Sequence, residues 1–164
     1  AWSEASVDAA AQVLGIGAVK YADLSCSRIS DYKFSFDRML QFEGNTASFI
    51  IYAYVRIQSI KQKLLKDIEE MNTDTLCFEH PSEIALGLQL ARFPDVITKI
   101  KADLMPHYLT DYLYQTAQLF NVFFRDCRVV GVEEQTSRWL VCELTAKVIK
   151  TGLNLLGIKT LNRM

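Results

Sequence analysis

Residues 44–57, GNTASFIIYAYVRI, decide how the chain is to be read. Gly44 and Asn45 carry turn chemistry, and Asn45 or Thr46 can accept a hydrogen bond from the free N–H groups that open a helix. The residues that follow have a helical period. Ile50, Ala53, Tyr54, Ile57 and Ile60 form one apolar stripe. Phe49, Tyr52 and Arg56, at spacings of three and four, share a second face. A helix with one full core face has no need to bury two more rings. The second face is then either core with a snorkelling arginine or a surface for something flat and anionic. Aromatic rings beside an arginine are the usual equipment for holding unstacked nucleotides.

The same reading extends outward. The capped helix is expected over 46–71. Ahead of it, residues 4–22 carry a stripe of Val7, Ala10, Ala11, Leu14, Ala18 and Tyr21, with Gly15 and Gly17 pointing to close helix packing. Between them, Tyr32, Phe34 and Phe36 alternate as in extended chain and end in a short turn that Ser35 can cap. Prolines near the first turn announce helices over 81–91, 94–104 and 106–126, where a missing N–H costs nothing. After the irregular CRVVGVEE, a last helix runs over 134–156, and Gly157 stands where a left-handed cap is wanted. The expected fold class is all-α, a bundle of five to six helices with short connections.

Bulk composition agrees. The chain has 164 residues, half apolar and 23% charged, enough for one well-cored domain. Seven glycines and three prolines are too few for a turn-rich β sandwich. The net charge of −1 argues against blanket electrostatic binding of nucleic acid, DNA included, so any RNA contact must be local. Charge is segregated. Asp67, Glu69, Glu70, Asp74, Glu79 and Glu83 form an acidic run without Lys or Arg. Arg138, Lys147, Lys150, Lys159 and Arg163 face the single acid Glu143 over the last 27 residues. That basic end is either a solvated helix face or a place to meet phosphates.

Cys26, Cys77, Cys127 and Cys142 are far apart and follow no secretory signal, which reads as a reduced, cytoplasmic protein. No apolar run approaches the roughly 20 residues of a membrane span. The chain opens at Ala1 within a helical pattern and reads as a piece of a longer protein. Catalysis finds little support, and no catalytic residue is assigned. His80 and His107 are the only histidines. Nucleophile-elbow and Gly-rich phosphate-binding patterns are both missing. Cys77 and His80 have a zinc-like gap without a second pair, so no metal site is assigned; His80, before Pro81, reads as a helix start.

Several stretches in order carry a resemblance. LGIGAVKYADLSCSRISDYKFSFDRML, EGNTASFIIYAYVRIQSI, LARFPDVI, LTDYLYQTAQLFNVFF and the ending LLGIKTLNRM resemble the carboxy-terminal part of arginyl-tRNA synthetases, class I enzymes. The resemblance covers essentially the whole chain. It implies a junction with the catalytic domain over 1–24 and an all-α anticodon-binding domain, of the DALR type, over 25–164. The parent enzyme, a ligase of protein biosynthesis, joins arginine to its tRNA with ATP and Mg²⁺. The HIGH-like and KMSKS-like signatures are absent here, so this stretch alone is expected to be inactive and to need no cofactor. Its implied partners are the anticodon loop of arginine tRNA and the catalytic domain of the same chain; membership of a multi-synthetase assembly is left open.

By the same resemblance, Phe49, Tyr52 and Arg56 of the long helix, Phe124 of the penultimate one, Arg128 of the next loop and the terminal Met164 are the implied RNA contacts. Phe49 and Phe124 stand where the family often has tyrosine, so they can stack but not hydrogen-bond. Arg128 falls at a variable position. Thr160 replaces a frequent proline, leaving the tail looser ahead of Met164, whose carboxylate is expected near the site. A different class of function also fits: a helical protein-interaction module that docks a synthetase or scaffold without binding RNA.

Overall fold

A computed structural model describes residues 3–65, 68, 71 and 77–164. Its elements are α1 (Glu4–Leu24), α2 (Phe36–Met39), α3 (Ala47–Leu64), α4 (Pro81–Ala91), α5 (Phe93–Asp103), α6 (His107–Asp126) and α7 (Gln135–Leu155). Among the described residues there is no strand. Of the helices among the described residues, six have 11 residues or more, and α2 is a single turn of four. The all-α bundle expected from the sequence is what forms.

Local chemistry sets the boundaries. Thr46, not Asn45, caps α3: its hydroxyl accepts from the Phe49 N–H at 3.3 Å and donates to the Gln41 carbonyl at 2.8 Å. Asn45 instead accepts from the Tyr21 hydroxyl, which also lies 2.9 Å from the Thr110 carbonyl. Buried Tyr21 thereby ties α1 to the start of α3 and to α6, and burial pushes its phenol pKa up. Ser35 caps α2, and His80 caps α4 in a reciprocal box with Glu83. Gly157 takes φ +69° after α7, the left-handed geometry that suits glycine. The expected last turns of α3, and Asp67, Glu69, Glu70 and Asp74 of the acidic run, lie outside the described residues.

The core fills the space between α3, α4, α6 and α7. Ile50, Ile57, Leu86, Phe120, Phe123 and Ile149 are buried there. Gly152 lets α6 and α7 close up, since a Cβ there would meet Leu113 at 2.6 Å. Gly17 does the same for α1 and the tail, with Ile158 at 3.2 Å, whereas Gly15 has open space around it. The stripe read along α1 is corrected in its first half. Ala18 and Tyr21 are buried, but Val7 and Ala11 are exposed, because the bundle supplies a packing surface only for the later turns.

Candidate nucleic-acid interface

The stripe argument holds along α3 for Tyr52 and only in part for Phe49, which is half-buried against the core. Ile50, Ala53, Tyr54, Ile57 and Ile60 are all buried, while Tyr52 keeps 41% of its surface in solvent. The core takes one side of α3, and on the open side Tyr52 and Arg56 stand beside the exposed edge of α6. The Arg56 guanidinium lies over the Tyr52 ring at 4.4 Å and over the Phe124 ring at 5.3 Å. Its Nη1 donates to Asn121 Oδ1 at 2.9 Å. Asn121 is uncharged, so the bond orients the cation without neutralising it. Phe124 is also 41% exposed, and buried Phe120 backs it at 5.9 Å between ring centroids.

Tyr52, Arg56 and Phe124 therefore form one ledge across α3 and α6: two partly exposed rings with a guanidinium lying over both. Phe49 flanks it half-buried, packed on the core and on Tyr114 at 5.4 Å. Arg128 is exposed, but its Nε donates to the Val130 carbonyl at 2.9 Å, turning the side chain back on its own loop. Met164 is half-buried against the core. The ledge is a surface rather than a cavity. Two hollows among the described residues are lined by others, one by α1 and residues 32–46, the other by α3, α7 and the tail.

Sequence reasoning missed Asn121. It stands one turn before Phe124 in LFNVFF, and that i, i+3 spacing was the available signal. It also missed what holds the loop after Phe124. Arg138 on α7 donates through Nη1 to the Arg128 carbonyl at 2.9 Å and through Nε to buried Glu83 on α4. The other Glu83 oxygen accepts from the Glu79 and His80 N–H groups at 2.7 and 2.9 Å. Burial alone would raise the Glu83 pKa. The backbone donors and the Arg138 guanidinium outweigh it and hold the carboxyl below its ordinary value. Inside the same corner, the buried Cys127 thiol, 3.3 Å from the Ser82 hydroxyl, is pushed up by burial.

An exposed aromatic pair with an oriented cation is suited to flat, electron-rich, anionic ligands, and unpaired nucleotides fit that description. The family model of the DALR anticodon binding domain matches residues 50–164. The chain is 54% identical over 155 residues to an arginine–tRNA ligase of Protochlamydia amoebophila, covering 94% of this chain and 26% of that protein. It is 50% identical over 163 residues to the arginine–tRNA ligase of Chlamydia felis, covering 99% and 29%. In the solved arginyl-tRNA synthetase of Plasmodium falciparum, 28% of that chain superposes on 96% of this one with a TM-score of 0.90 and 38% identity. The chain thus spans between a quarter and three tenths of the length of these relatives. With 115 of its residues matched by the family model, the chain belongs to the DALR anticodon-binding domain family.

Proposed function

We propose that this chain holds the anticodon loop of an arginine tRNA, as the carboxy-terminal domain of an arginine–tRNA ligase. The observation that carries the proposal is the ledge. Tyr52 and Phe124 keep ring surface open to water, and Arg56 stands between them with its charge unspent. Phe49 extends the stacking surface from its half-buried position, and Arg128 and Met164 are assigned as outer contacts. In the complete ligase, ATP, Mg²⁺ and arginine belong to the catalytic domain, and this chain contributes the grip on RNA in the cytoplasm.

The junction with the catalytic domain is assigned to residues 1–24, and the anticodon-binding domain to 25–164. Support comes from Val7, Ile16 and Val19, exposed along α1, and from Phe34, Phe36 and Phe42 of the following segment. Apolar surface of this kind is covered in a working assembly, and a domain of the same chain is an economical cover. Among the described residues, no helix is long and apolar enough to cross a membrane.

The genetic code sharpens the proposal. Arginine codons share only their middle G, so every arginine anticodon has a central C between variable neighbours. Tolerant stacking around one selectively read cytosine suits that pattern. Changing the central C to U in an arginine anticodon stem-loop is expected to weaken binding by at least about 1 kcal/mol, roughly fivefold. Calorimetric titration with both loops measures it. Equal affinity for the two would overturn arginine-anticodon recognition.

A further inference from the structure

The basic end of the chain acquires a partner that its sequence does not reveal. Lys147 and Lys150 stand on α7, and the fold sets them beside Lys61 of α3. The three line a hollow of about 330 Å³ between the two helices, with Asn162 of the tail on its rim. The hollow's aromatic lining is closed to a base: Trp139 is 2% exposed and Tyr54 4%. Glu143 is the one carboxylate among the lining residues, 3.8 Å from Lys147. That pair is solvent-exposed and of i, i+4 type, a weak interaction in water. Three ammonium groups against one carboxylate make the hollow positive in a chain whose net charge is −1.

We propose that this hollow is a second RNA contact, one that takes sugar-phosphate backbone and reads no base. The inference rests on the reading of the ledge as an RNA-binding surface. Lysine is a compact point charge with rotatable donors, and it meets phosphate oxygens without demanding a particular angle. Rings that are buried cannot stack, so what remains to be bound there is charge. Such contacts fix position and register, while base contacts specify. Tyr54 and Gln58 stand two residues from Tyr52 and Arg56, about 200° around the helix at 3.6 residues per turn. Ledge and hollow therefore lie on opposite sides of α3, a cylinder about 10–12 Å across with its side chains. A backbone leaving the ledge meets the lysines by passing round α3, roughly 16–19 Å over its surface.

The test is the salt dependence of binding to an arginine anticodon stem-loop, for the natural chain and for Lys61→Gln/Lys147→Gln/Lys150→Gln. Glutamine keeps most of each side chain, and all three lysines are exposed, so helicity and melting temperature serve as checks that the variant folds. Each phosphate contact contributes about 0.7–0.9 to the slope of log K against log salt. Losing three is expected to make the slope shallower by about 2 while leaving discrimination of the central C unchanged. Lys33→Gln/Lys101→Gln, which removes charge elsewhere, is expected to leave the slope as it was. An unchanged slope in the triple variant, with the natural chain binding normally, overturns the lysine site and spares the ledge. Absence of binding by the natural chain overturns both.

Discussion

Replacing Tyr52 and Phe124 together by alanine is expected to weaken binding of an arginine anticodon stem-loop by about 2–4 kcal/mol, roughly 30- to 1,000-fold. Each ring–base stack is worth about 1–3 kcal/mol. The two losses should not add fully, because Arg56 lies against both rings at 4.4 and 5.3 Å and loses its own support when either goes. Stability is expected to change little. Both rings are 41% exposed, and the helices that carry them are held by residues on their opposite faces. Titration and thermal unfolding of the same sample separate the two effects. A folded variant that binds as well as the natural chain would contradict the stacking role. A collapsed melting transition would mean that the rings are structural.

Arg138→Met is expected to have the largest effect on stability, a loss of about 3 kcal/mol. Breaking a buried ion pair by removing one partner leaves the other charge uncompensated, with typical costs of about 3–5 kcal/mol. The lower end applies because Glu83 keeps the Glu79 and His80 N–H donors. The loss should depend on pH. The folded state holds the Glu83 pKa down, so its contribution is complete above the ordinary glutamate value of about 4.3 and disappears as pH falls through the lower folded value. The gap between natural and variant chains should therefore narrow in acid, where protonation removes the stranded charge. Urea unfolding at neutral and acidic pH measures it. A gap that is constant with pH would assign the cost to lost packing instead. Because Arg138 also holds the Arg128 carbonyl, the variant should loosen the loop that follows Phe124.

What the sequence revealed follows from which interactions are local. Thr46, Ser35, His80 and Gly157 mark their helix ends because caps act within three or four residues. The second face of α3 could be read because the first face was already complete. Five apolar residues at helical spacing occupied the core side and left Tyr52 and Arg56 elsewhere. The rest depends on contacts between distant parts of the chain. Arg56 meets Asn121 across 65 residues, and Arg138 meets Glu83 across 55, so neither pairing leaves a periodic trace. Lys61 joins Lys147 and Lys150 for the same reason. The first half of α1 misled in the opposite direction. Its spacing is that of a buried stripe, and burial requires a neighbour that the described residues do not supply there.

The central claim is that unstacked loop bases lie on the surface formed by Tyr52, Arg56 and Phe124. Photocrosslinking tests it most directly: an arginine anticodon stem-loop carrying 5-iodouridine on either side of the central C is irradiated with the protein, and the modified residues are identified by peptide mass spectrometry. Adducts on Tyr52 and Phe124, suppressed by an excess of unmodified stem-loop, are the predicted result. Efficient adducts confined to other surfaces, with neither ring modified, would contradict it.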